Sequence, residues 1–176
     1  TLAFEILSSK DLKLKSKCKN ELIKTLSICS GHSGLAGGQY SDLTYQNKNI
    51  SRKNIINMQK KKTGELFGFC CESIAIVKNL NFLKRKKLKE IGINIGLLFQ
   101  IVDDLIDYKG DSLLAGKPTK RDKKRGKATL INLLGYKETI NISQKLKEEI
   151  DLAIKKQGTN NQDLLDSIEF ILDRKF

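Results

Sequence analysis

The sequence predicts an all-α fold, and three observations carry that expectation. Pro118 is the only proline in 176 residues, so the strongest helix breaker is nearly absent. Apolar residues recur at helical spacing over long runs. Segments of alternating β-branched residues, the mark of half-buried strands, are few. A chain of this length is one ordinary domain, or a large piece of one, and can bury a real core. No run of about 18 apolar residues exists, which predicts no transmembrane segment.

The elements follow in order. The first residues, Thr1-Leu2-Ala3-Phe4-Glu5, have neither an initiator methionine nor a signal-peptide pattern, and read as the interior of a helix in a longer protein. A lysine-rich segment leads into one helix over 19–42. It holds Gly31, Gly34, Gly37 and Gly38, each costing up to about 1 kcal/mol in a helix. Either a neighbouring helix packs very closely there or a ligand approaches the backbone. The spacing is not GxGxxG, so no dinucleotide loop is expected. This helix ends with Gln39 and Asp42 on one face. A polar connection over 45–51 precedes a second helix over 54–77, and a turn at 79–81 precedes a long helix over 83–108. A loop rich in glycine and charge spans 109–126. A short apolar helix over 128–135 and an amphipathic one over 138–157 follow, the latter with Ile140, Ile142, Leu146, Ile150 and Ile154 as its stripe. A last helix runs over 162–174. Neither an internal repeat nor a domain linker interrupts the series.

The stretch with the most chemistry lies near the end of the long helix. Asp103, Asp104 and Asp107 sit among Leu97, Phe99, Ile101, Val102, Leu105 and Ile106, and no Lys or Arg occurs between Lys89 and Lys109. Spacings of three and four residues put the carboxylates on neighbouring parts of one face. Buried like charges need compensation. A hard divalent cation with oxygen ligands, above all Mg²⁺ shared with a phosphate substrate, suits such a cluster. The plainer alternative is a solvated helix face paired with lysines. The loop that follows holds Gly116-Lys117 and Gly126-Lys127. Five residues separate Gly110 from Gly116 and Pro118 follows Lys117, so this is no nucleotide P-loop. Lysines closing over a magnesium-bearing carboxylate cluster would still hold a diphosphate.

The net charge of +13 invites a nucleic-acid reading. The excess is lysine, the arginines are Arg52, Arg85, Arg121, Arg125 and Arg174, and tryptophan is absent. Nucleic-acid readers lean on arginine forks and aromatic stacking, so no nucleic-acid partner is expected. Cys18, Cys29, Cys70 and Cys71 form no CxxC, which predicts reduced thiols and a cytoplasmic protein. With His32 the sole histidine, a histidine-based zinc site or catalytic triad is not expected.

One ordered series of motifs resembles a known family. Gly37-Gly38-Gln39 with Asp42, Lys62-Thr63-Gly64, Phe99-Gln100-Ile101-Val102-Asp103-Asp104-Leu105-Ile106-Asp107, Gly110-Asp111, Gly116-Lys117, Asp122 and Gly126-Lys127 follow one another. Together they resemble the C-terminal part of a trans-isoprenyl diphosphate synthase, or polyprenyl synthetase, closest to the bacterial farnesyl diphosphate synthases. The resemblance runs from residue 1 to about Gly135. The family uses two aspartate-rich motifs, and this chain carries only the second, since Asp163-Leu164-Leu165-Asp166 is no doublet. Residues 1–176 therefore read as the C-terminal portion of a single polyprenyl-synthetase domain whose N-terminal part is absent. Lys120 and Arg121 stand where small residues are usual, and Ile131 where a proline is common.

The resemblance implies an isoprenoid-synthase helical bundle, a homodimer, and Mg²⁺-dependent condensation of dimethylallyl or geranyl diphosphate with isopentenyl diphosphate. The product would be farnesyl or geranylgeranyl diphosphate, with this fragment inactive alone. Asp103, Asp104 and Asp107 would hold metal. Lys62, Lys117 and Lys127 would neutralise the diphosphate, with Gln39 and Asp42 lining the cavity. Lys62, Thr63, Gln100 and Asp103 would carry catalysis, Thr63 and Gln100 presenting dipoles to the allylic cation. Without N-terminal helices, Leu97, Phe99 and Val102 would lose their cover. The competing expectation is a non-catalytic, prenyl-synthase-like subunit that pairs with an active partner. A basic nucleic-acid or membrane-surface module is a weaker third.

Overall fold

A computed structural model describes residues 1–109, 126–158 and 161–173. Among them the regular structure is helical: α1 (Leu2–Ser8), α2 (Ser16–Ser30), α3 (Leu35–Thr44), α4 (Arg52–Gln59), a π-helical turn (Lys60–Gly64), α5 (Glu65–Val77), α6 (Phe82–Lys109), α7 (Leu130–Leu134), α8 (Tyr136–Lys155) and α9 (Gln162–Asp173). The expected single helix over 19–42 is two helices. Gly31 leaves helical geometry at φ −78°, ψ −161°. The chain then folds back so tightly that a Cβ on Gly34 would lie 2.0 Å from the Cys29 carbonyl oxygen. Two of the four puzzling glycines thus mark a break rather than a helix interior.

The predicted helix over 54–77 is continuous but not uniformly α. Ser51 caps its start, accepting from the Asn54 N–H at 3.3 Å. In the middle, the Glu65 N–H bonds the Lys60 carbonyl, the i→i−5 pattern of a π turn.

Helix α6 is the axis of the molecule, and the sequence explains why it is wrapped on three sides. Ile91, Ile95, Leu98, Val102 and Ile106 form one stripe, buried against Ile150 and Ile154 of α8 and Ile168 of α9. Leu97, Ile101 and Leu105 form a second, buried with Ile55 and Met58 of α4 and Leu130 and Ile131 of α7. The third side carries no side chains at its closest points. A Cβ on Gly96 would stand 2.7 Å from Gly64 Cα, and one on Gly92 would stand 2.4 Å from the Phe67 carbonyl oxygen. Glycines spaced by four on both helices let the two backbones touch. The expected loss of cover does not occur: Leu97 and Val102 are buried, and Phe99 packs on Phe67 with ring centroids 5.7 Å apart. These apolar positions find partners within the chain.

On α8 the buried line is Thr139, Ser143, Ile150 and Ile154, while Ile140, Ile142 and Leu146 are partly buried beside it. The hydroxyls of Thr139 and Ser143 can be buried because they donate to the Gly135 and Ile140 carbonyls at 2.8 Å each. All four cysteines are free thiols; Cys29 is buried and Cys70 exposed.

Candidate functional site

The site grows out of an antiparallel pairing between the α4–π–α5 rod and α6. Gln59 meets Asp104, Thr63 meets Gln100, Gly64 meets Gly96, and Gly68 packs beside Gly92. Residues four apart on one helix face residues four apart on the other. The glycine end brings the backbones close, and the polar end holds the chemistry.

Asp104 fixes the sense of this polar end. It is 6 % exposed, its Oδ1 accepts from Gln100 Nε2 at 2.9 Å, and its Oδ2 accepts from Gln59 Nε2 at 2.8 Å. A carboxylate can only accept, so both amides must turn their nitrogens toward it. Gln100 then turns its oxygen the other way, and Thr63 donates its hydroxyl proton to that oxygen at 2.7 Å. The relay commits the Thr63 hydroxyl proton to Gln100, so toward any other group the Thr63 oxygen can only accept.

Helix α3 supplies the next group. A Cβ on Gly38 would fall 2.2 Å from the Lys62 backbone nitrogen, so only glycine admits α3 against the π turn. One turn on, buried Asp42 accepts from Lys62 Nζ at 2.5 Å. The last member arrives through Gly126, whose carbonyl accepts from the Asn47 N–H at 2.9 Å. Gly126 has φ +63°, and a Cβ there would lie 1.9 Å from Asn47 Oδ1. That contact seats Lys127 beside the relay, and Asn132 holds the Lys127 carbonyl at 2.8 Å.

Asp42, Gln59, Lys62, Gln100, Asp104 and Lys127 line one narrow crevice of about 10 Å³. A larger hollow of about 590 Å³, among Tyr45, Asn57, Lys61, Glu90 and Asn94, contains none of the residues singled out from the sequence. The crevice is the better candidate, because Asp42, Lys62, Gln100, Asp104 and Lys127, all expected from the sequence, converge there.

Not every expected residue joins it. Gln39 is exposed on α3 and lies outside the crevice. Lys117 lies outside the described residues, as do Gly110, Asp111, Gly116 and Asp122. Asp103 is half-buried and Asp107 is 5 % exposed. Among the described residues, no three His, Cys, Asp or Glu side chains converge on one metal position. A closed protein cage is therefore not what these residues form. Mg²⁺ suits such an open donor set, since it commonly takes one or two carboxylates and completes its shell with water and phosphate oxygens.

Gln59 is the site residue that sequence reasoning missed. Its signal was its place one turn before Thr63, as Asp104 lies one turn after Gln100.

The family model for polyprenyl synthetases matches residues 1–170. The farnesyl diphosphate synthase of Micrococcus luteus is 33% identical over 163 residues, 92% of this chain and 56% of the relative. The geranylgeranyl diphosphate synthase of Pantoea ananas is 32% identical over 151 residues, 86% of this chain and 47% of the relative. An apo structure of an FPP/GFPP synthase from Zymomonas mobilis superposes with a TM-score of 0.81 at 35% identity, covering 97% of this chain and 56% of that one. A geranyltransferase from Helicobacter pylori, solved with magnesium and isoprenyl diphosphate, gives 0.82 at 28% identity over 98% of this chain and 56% of that one. The chain spans about half the length of the relatives it matches.

Proposed function

The chain belongs to the polyprenyl synthetase family, and from that premise we propose that it is the diphosphate-binding half of a prenyltransferase. The reaction is condensation of an allylic diphosphate, dimethylallyl or geranyl, with isopentenyl diphosphate, giving farnesyl or geranylgeranyl diphosphate. The observation that carries this reading is the convergence of Lys62 and Lys127 with Gln100 and Asp104 in one crevice, Thr63 bonding Gln100 from behind it.

Each residue has a task. Lys62 and Lys127, with Lys117, neutralise the diphosphate through charge-assisted hydrogen bonds. Asp42 holds the Lys62 ammonium in place at 2.5 Å. Asp103, with Asp104 and Asp107 close by, would hold Mg²⁺. When bound, Mg²⁺ supplies Lewis-acid and electrostatic stabilisation of the departing pyrophosphate. Thr63, its proton committed to Gln100, would present its oxygen lone pairs to the allylic cation left behind, without a nucleophilic step. The isopentenyl double bond attacks that cation, and a proton is then lost. A homodimer in the cytoplasm is the setting that fits the family.

The test is condensation by residues 1–176 joined to the N-terminal half of a relative. Product formation that Asp103→Ala abolishes supports the reading. An inert hybrid, beside an active parent relative, contradicts it and favours a non-catalytic subunit.

A further inference from the structure

Gln59 and Gln100 are matched amides with unmatched ends. Both turn nitrogen toward Asp104, at 2.8 Å and 2.9 Å. The Gln100 oxygen receives the Thr63 hydroxyl. The Gln59 oxygen is buried with no hydrogen-bond partner among the described residues, and the residue is only 2 % exposed. A buried polar atom left without a partner is destabilising and uncommon in folded proteins. Were Gln59 present only to fill space, Met or Leu would do so without that penalty. Burial is instead combined with one bond to Asp104 and a place in the wall of the crevice that Lys62 and Lys127 share.

We propose that Gln59 is a positioning residue, which holds Asp104 Oδ2 from the π-turn side and offers its amide oxygen to a donor that arrives with the ligand. The ligand class is a hydrated divalent cation carrying a diphosphate, whose water ligands are hydrogen-bond donors. This rests on the diphosphate-binding reading above. Asp104 is then clamped from two helices at once. Gln100 sets one oxygen from within α6, and Gln59 sets the other from the rod that carries Lys62 and Thr63. Losing Gln59 would remove the hold on Oδ2 from the rod and would slacken the Gln100–Thr63 relay that shares the carboxylate.

The test is calorimetric titration of the full chain with Mg²⁺, with and without inorganic pyrophosphate, alongside thermal melts. Gln59→Met keeps the length and removes the donor. It should weaken the Mg²⁺ affinity measured with pyrophosphate by about tenfold, the usual scale for a group that orients a metal ligand. Gln59→His can donate from one ring nitrogen and accept at the other, and should restore the affinity to within about threefold. A shifted melt with unchanged Mg²⁺ affinity in Gln59→Met would make Gln59 structural and overturn the inference. Should Gln59→Met fail to fold, Gln59→His decides, because a tenfold loss in that folded variant equally contradicts the inference. Asp103→Ala separates the two levels. If it leaves Mg²⁺ binding unchanged, the diphosphate-binding reading fails. If it abolishes binding while Gln59→Met does nothing, only the role of Gln59 fails.

Discussion

Thr63 commits its one hydroxyl proton to Gln100, and that orientation is imposed from Asp104 two bonds away. Thr63→Val keeps the shape and removes the relay's last link. It should lower stability by about 1 kcal/mol in a denaturant melt and, in the hybrid carrying a relative's N-terminal half, slow allylic ionisation in single turnovers without raising KM. Lys62→Ala removes a direct charge as well. The loss of one charge-assisted contact, about 1.5–3 kcal/mol, predicts one to two decades in ionisation rate, a larger effect than that of Thr63→Val. Cysteine reactivity follows from burial in the same way. Burial pushes the Cys29 and Cys71 thiols up to about 11, whereas Cys70 is exposed. Alkylation at neutral pH should label Cys70 first and Cys29 last, followed by mass spectrometry. Cys29 reacting first would mean that α2 does not pack as described.

At the scale of elements, the glycines decide where the site residues stand. Gly38→Ala puts a methyl group against the Lys62 backbone. Backbone cannot rotate aside, so the π turn or α3 must move, at about 1–3 kcal/mol. The expected result is a lower melting temperature together with weakened diphosphate binding, because the Asp42–Lys62 pair moves with the turn. Behind the site, Arg85 binds Glu72 at 2.6 Å and Glu21 at 2.8 Å, tying α2 to α5 and α6. The Arg85 hydrogen bond holds the Glu21 carboxyl below its ordinary range. A depressed folded value means that this stabilisation is present above the unfolded glutamate value of 4.5 and is lost as pH falls through the lower folded one. Acid unfolding of Glu21→Gln should therefore start from a lower stability and be less steep below pH 4.5 than that of the parent. Helical periodicity announced α6, α8 and α9, because their stripes repeat over many turns. It did not announce the break after Ser30 or the π turn at Lys60–Gly64. Both depend on how closely a distant helix approaches, which no local pattern encodes. Gln59 stayed hidden for that reason: its partner is 45 residues away.

Across the whole molecule, the apolar residues expected to lack cover have it, and exposure is found elsewhere. Ile74, Val77, Leu80, Phe82 and Leu83 surround the α5–α6 turn, Phe82 at 75% and Leu83 at 68%. Leu2 and Ile6 on α1 and Tyr40 and Leu43 on α3 are also exposed. Such surface in a chain of net charge +13 predicts self-association that strengthens with added salt, as screening removes the repulsion. Sedimentation at rising ionic strength checks this, and a monodisperse monomer throughout would contradict it.

The central claim is that Asp103, Asp104, Lys62 and Lys127 together make a site for a magnesium-bearing diphosphate. Titration calorimetry of residues 1–176 with Mg²⁺, first alone and then with inorganic pyrophosphate, tests it most directly. The account predicts weak Mg²⁺ binding alone, tighter binding with pyrophosphate because its oxygens complete the metal shell, and loss of that coupling in Asp103→Ala. Equal Mg²⁺ affinity with and without pyrophosphate, or coupling that survives Asp103→Ala, would contradict it.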